Sequence, residues 1–310
     1  MKKYIRIARP DHWIKQLFIF PGSLFALLLT GAEIADAANF ITKIILGFLS
    51  TCFIASANYV INEWLDAEFD KFHPTKKNRS VVAEDVKKEI VYLEYAILTI
   101  AGFALGIACS GKVFFCEAWL WVMGILYNVK PIRTKDIAIL DVLSESINNA
   151  IRLLIGWFMI TDSYMPPISI VVAYWMGGAF LMATKRFAEY RMINDPELAG
   201  KYRKSFKMYT EELLLTTAFF YAMCSTFLMG VFLIKYKVEF IMLMPFVFFL
   251  FCYYFHIAFK PDSAAQKPEK LFKEKWLMAY VVFLMILFVV LLKVSIPGLE
   301  MFTQMELIRL

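Results

Sequence analysis

The chain has 310 residues, 60% of them hydrophobic and 17% aromatic, with a mean hydropathy of +0.60. Soluble domains lie nearer half apolar, so this composition excludes an ordinary globular protein and points to the membrane. The net charge of +6 does not indicate a nucleic-acid binder, because the 33 Lys and Arg are divided among loops between apolar runs instead of forming one stripe.

Nine runs approach the roughly 20 apolar residues that a membrane-crossing helix needs, near 17–31, 40–62, 90–108, 112–128, 138–160, 165–184, 210–234, 238–258 and 276–296. They predict an all-α, polytopic membrane protein with a single domain over 1–310. Its helices are expected to surround a central cavity open to the cytoplasm and capped by 63–89, 129–137 and 185–208. The N-terminal "RPDHWIKQLFIFP" enters the first run with Arg9 and Lys15 flanking Trp13, a pattern that suits an interfacial anchor and equally a pair of cations beside a site. No small-residue cleavage site follows that run, so the first span is expected to be retained.

The second run leads into "NEWLDAEFDKFHPTKKNR". On a helix continuing that span, Glu63, Asp66 and Asp70 share one side, and three stacked like charges repel unless something positive sits between them. Mg²⁺ is commonly held by a few carboxylates together with substrate phosphates, and Asn62 adds a neutral oxygen. Basic neighbours, namely His73, Lys76 and Arg79, would then meet those phosphates. The competing reading is a solvated helix end whose acids pair with Lys71, Lys76 and Lys77.

The fifth run carries a second acidic cluster, Asp141 and Glu145 with Asp136 before them and Asn148, Asn149 and Arg152 after. Ionisable residues in a span are costly and usually face a polar cavity with a function. The two clusters are expected to form two walls of one Mg²⁺ site. Lys185, Arg186, Glu189 and Arg191 end the sixth span, where Arg and Lys beside bound metal make a receptor for phosphate or diphosphate. Gly177, Gly178 and Ala179 allow close helix approach in that span.

The five cysteines lie in or beside apolar runs without a CxxC pair, which favours packing over metal or disulfide use. Of the 33 basic residues, 26 lie on the N-terminal side of a nine-span arrangement. That bias places the N-terminus and the long loops in the cytoplasm and the C-terminus outside an inner membrane, with anionic lipid or phosphate as partner.

"NEWLDAEFD" resembles the NDxxDxxxD motif of the UbiA-type intramembrane prenyltransferase superfamily, with Glu63 where Asp is usual. "YNVKPIRTKD…LD" resembles its second conserved region, with Glu145 where Asp is common. Within the superfamily, "RPDHWIKQLFIFP", "DKFHPTKKNR" and "KRFAEYR" look most like the decaprenyl-phosphate phosphoribosyltransferase branch. The resemblance implies Mg²⁺-dependent transfer of phosphoribose from phosphoribosyl diphosphate to a polyprenyl phosphate. It also implies that Asn62, Glu63, Asp66 and Asp70 hold the metal on the donor diphosphate, and that Asp141 and Glu145 orient the donor or a second metal. Arg9 and Lys15 would grip the lipid phosphate. His73, Lys76, Arg79, Tyr127, Lys130, Arg133, Asn148, Asn149, Arg152, Lys185, Arg186 and Glu189 would meet the substrates. Two other readings stay open: transfer of a prenyl group from a prenyl diphosphate to an aromatic or other small acceptor, and an ion-coupled transporter whose acids bind the moving ion.

Overall fold

The computed structural model describes residues 2–31, 36–72, 76–84, 86–260, 263–266, 271 and 273–303, and every regular element among them is helical. Helix α1 (Lys2–Ala8) leads to a 3-10 helix, Pro10–Ile19, that continues as α2 (Phe20–Thr30). That segment stops at Gly31, whose φ of 60° is a left-handed conformation that glycine tolerates. Helix α3 (Ala37–Asp70) begins where the Asp36 carboxylate accepts the amides of Ala38 and Asn39, satisfying donors that a helix start leaves open. After the one-turn α4 (Ser80–Ala83) come α5 (Lys88–Cys109) and α6 (Gly111–Asn128), the latter capped by the Ser110 hydroxyl. They are followed by α7 (Leu140–Ile160), α8 (Ile168–Ile193), the short α9 (Pro196–Tyr202) and α10 (Glu211–Tyr236). A 3-10 lead-in, Val238–Leu243, opens α11 (Met244–Ala258), and α12 is Lys275–Lys293.

Among the described residues, seven helical stretches are long and apolar enough to cross a membrane: Lys2–Thr30, α3, α5, α8, α10, Val238–Ala258 and α12. Helices α6 and α7 occupy the other two predicted runs, but Lys112 and Glu117 dilute the first, and Asp141, Glu145 and Arg152 the second. The charged α7 is nevertheless an interior helix, packed against α2, α3, α6 and α8. Its Ile151, Leu153, Ile155 and Trp157 are fully or almost fully buried. Lipid-facing surface falls instead to helices such as α5 and α12, where Ile97, Ile100, Met285 and Ile286 stand exposed.

Two predicted boundaries move. Helix α3 runs to Asp70 and α8 to Ile193, so residues 63–70 and 185–193 are helix and not capping loop. Hydropathy ends a run at the first charges, whereas the backbone hydrogen-bond ladder continues through good helix formers such as Glu, Leu and Ala. One apolar core joins Ile19, Ile54, Leu120, Ile151 and Ile155; another joins Phe180, Phe187, Phe206, Leu214 and Ile257. Where the first span crosses α7, a Cβ on Gly22 would lie 2.0 Å from the Leu153 carbonyl oxygen, and one on Gly156 1.9 Å from that of Ile19. Only glycine allows the two backbones to touch there.

Candidate functional site

The carboxylates of α3 do share one side, as their spacing requires, and each meets a cation from a different part of the chain. Arg9 closes on Glu63 with two hydrogen bonds, Nη2 at 2.6 Å and Nε at 3.2 Å. Asp66 accepts from Arg133 Nη2 at 2.9 Å and pairs with Lys135 Nζ. Asp70 pairs with Arg79. Asn62 donates to the Asn128 side chain, which also accepts from Lys135 at 2.7 Å. Among the described residues, the partners include arginines and a lysine brought in from separate loops. Arg9 (φ 50°) and Arg133 (φ 33°) both hold left-handed backbone, an unusual conformation for a residue with a Cβ, and both stand immediately before a 3-10 helix.

Around Asp66 and Asp70 a polar cleft opens, lined further by Phe69, Arg133, Lys135, Asp136, Tyr202 and Arg203. Arg133 also stacks its guanidinium 4.8 Å from the Phe69 ring centre. Burial pushes the Lys135 ammonium down to about 8, although Asp66 pulls it the other way. Asp66 and Asp70 offer hard oxygen donors into one space, which suits Mg²⁺. Among the described residues, however, no three carboxylate, histidine or cysteine side chains already converge as a metal shell. The acids are held by cations instead.

The second cluster is built differently. Arg186 of α8 is 1% exposed, and its guanidinium is divided among three acids: Asp141 at 3.1 Å, Glu145 at 2.6 Å and Glu189 at 3.2 Å. Asp141, fully buried, also accepts from Tyr209 at 2.6 Å, Ser205 at 3.2 Å and Arg203 at 3.4 Å. Tyr127 donates to Glu145 at 2.7 Å and accepts from Arg203 at 3.1 Å. Burial raises the Tyr209 hydroxyl well above its usual range, and the Asp141 charge adds to it, so Tyr209 remains a donor. Tyr209 also accepts the amide of Ile139, 2.7 Å away, fixing a β-branched residue at φ 71° just before α7 begins. Arg203 joins the clusters, since it lines the cleft and touches Asp141 and Tyr127.

Deeper on α7, Arg152 donates to Gln16 at 2.8 Å and to Asn149 at 3.2 Å. Lys15 hydrogen-bonds His12 at 3.1 Å. Asn148 has a buried amide oxygen without a partner, Lys130 is exposed, and Lys185 is half-buried beside Arg186. His73 and the side chain of Lys76 lie outside the described residues. The contributors that sequence reasoning missed are Gln16, Asn128, Lys135, Arg203, Ser205 and Tyr209. Lys135 was readable in "KPIRTKD"; the others reach the site through folding alone.

A profile of the UbiA prenyltransferase family matches residues 19–284. The chain belongs to this family. It is 29% identical over 210 residues to the decaprenyl-phosphate phosphoribosyltransferase of Mycolicibacterium smegmatis, covering 68% of this chain and 63% of that protein. The protein of the same name from Corynebacterium glutamicum is 26% identical over 220 residues, covering 68% and 60%. The chain thus spans about three-fifths of the length of these curated relatives. Its fold matches that of a UbiA homologue from Archaeoglobus fulgidus, bound to GPP and Mg²⁺, with a TM-score of 0.69 over 91% of this chain and 99% of the other at 19% identity. The UbiA fold therefore extends over nearly the whole helical bundle.

Proposed function

We propose that this UbiA-family chain is a membrane-embedded, Mg²⁺-dependent transferase that moves phosphoribose from phosphoribosyl diphosphate to a polyprenyl phosphate. One observation carries the reading: Asp66, Asp70 and Asp136 face Arg133, Lys135 and Arg203 across a single cleft. Such a site is balanced when empty, and each ion pair can be exchanged when a diphosphate and a divalent cation arrive together. The phosphates take the cationic side chains and the carboxylates take the metal. Asp66 and Asp70 would hold the ion, with Glu63 and Asn62 on the same helix face. An ion held there would supply charge neutralisation for the departing diphosphate.

Arg133, Lys135 and Arg203 bind the diphosphate oxygens, Arg with a planar fork and Lys as a point charge. Arg186 acts as a positioning residue: it fixes Glu145 and Asp141, which in turn orient the buried Tyr127 and, at the cleft, Arg203. An acceptor phosphate is already anionic near neutral pH, so no strong general base is required of the chain. The names of the bacterial relatives support the phosphoribosyl donor over a prenyl one. We place the N-terminus and the cleft on the cytoplasmic side, with α6 and α7 crossing beside the seven more apolar spans.

The test is direct. Purified protein receives Mg²⁺, polyprenyl phosphate and labelled phosphoribosyl diphosphate, beside a parallel reaction with a prenyl diphosphate and an aromatic acid. Label in the lipid supports the proposal. Product only in the second reaction replaces it with prenyl transfer, and accumulation of an ion in vesicles without either product would favour a transporter.

A further inference from the structure

Helix α7 carries a cation that neither cluster uses. Arg152 lies eleven residues beyond Asp141, so a rise of about 1.5 Å per residue sets it roughly 16 Å deeper along the helix. Its hydrogen bonds run to the neutral oxygens of Gln16 and Asn149, and among the described residues no carboxylate stands within ion-pair distance of it. Glu117, the buried acid of α6, is hydrogen-bonded by Thr51 instead. An arginine at such depth is costly unless it faces a polar partner, and an uncompensated buried charge is costlier still.

A second observation points the same way. Gln16 is fully buried and its amide nitrogen has no partner. Arg152 Nε can only donate, so Gln16 must turn its oxygen to the guanidinium, and its NH₂ is left facing the same interior with nothing to bond. These groups are held rigidly, because the glycine contact of Gly22 and Gly156 locks the first span onto α7 just beyond them.

We propose that Arg152 and Gln16 form an anion subsite within the bundle that takes a phosphate monoester. A guanidinium edge with an adjacent amide donor matches a tetrahedral oxyanion. Given the function proposed above, two sources carry that group: the phosphate of the lipid acceptor and the sugar phosphate of the donor, whose diphosphate occupies the cleft near Asp66.

Binding to the full chain in detergent separates them, with farnesyl phosphate as the lipid probe, ribose 5-phosphate as the sugar probe and inorganic diphosphate with Mg²⁺ reporting on the cleft. Two variants are compared, Arg152→Met and Gln16→Glu. The second supplies Arg152 with an internal carboxylate, so it should melt no lower than wild type while its anion site is filled. The expected result is that one monoester weakens at least about tenfold in both variants, the loss of a charged hydrogen-bond partner, while diphosphate stays within about twofold. The probe that weakens names the source. Unchanged affinity for both monoesters in Gln16→Glu, or no binding of either to wild type, overturns the subsite. If farnesyl phosphate behaves as expected while phosphoribosyl diphosphate does not bind wild type, the donor assignment fails and the subsite stands.

Discussion

The two acidic clusters have similar composition and opposite construction. On α3, Glu63, Asp66 and Asp70 each borrow a cation from another segment, and two of the three open into a cleft. Around Arg186, three acids share one buried guanidinium, and Asp141 has four further or shared donors from Tyr209, Ser205, Arg203 and Arg186. Ion pairs at a cleft can be traded for ligands, whereas a saturated buried network holds shape. Similar residues thus serve exchange in one place and scaffolding in the other.

That contrast is best broken at its centre. Arg186→Met should cost about 3–5 kcal/mol of stability, because it strands buried carboxylates without their cation. A melting scan of the detergent-solubilised protein checks this; an unchanged melting temperature with weakened substrate binding would move Arg186 from scaffold to ligand contact. The next effect is on turnover. Asp66→Asn and Asp70→Asn should each lower the transfer rate by roughly 10²-fold or more while extraction and elution match wild type. Activity retained above about a tenth in both would remove these acids from the chemistry. The smallest effect sharpens the comparison: Lys135→Gln should weaken diphosphate binding by about 1.5–3 kcal/mol, the worth of a hydrogen bond to a charged group, and leave the melting temperature nearly unaltered.

What could be read in advance follows from where the information resides. The acids of α3 were legible because helical spacing alone puts residues 63, 66 and 70 on one side. The burial of α7 was only half legible: its charges signalled function, but its central position depends on glycine contacts made with α2 and α8. Gly178 illustrates this, since a Cβ there would meet Asn149 at 2.3 Å. Arg203, Ser205 and Tyr209 were not singled out, because they sit more than sixty residues from Asp141 and the capping expected of 185–208 does not say which of its side chains turn inward. Arg186 stood out as a cation, yet of its three acidic partners only Glu189, at i+3, is local.

Exchange at the α3 cleft is tested most directly by titrating inorganic diphosphate into wild type and Asp66→Asn, with and without Mg²⁺. The account requires Mg²⁺ to tighten binding to wild type by at least about tenfold, with that gain lost in the variant, since metal and phosphate must take opposite halves of the same ion pairs. Equal binding with and without Mg²⁺, or a gain that survives in Asp66→Asn, would contradict it.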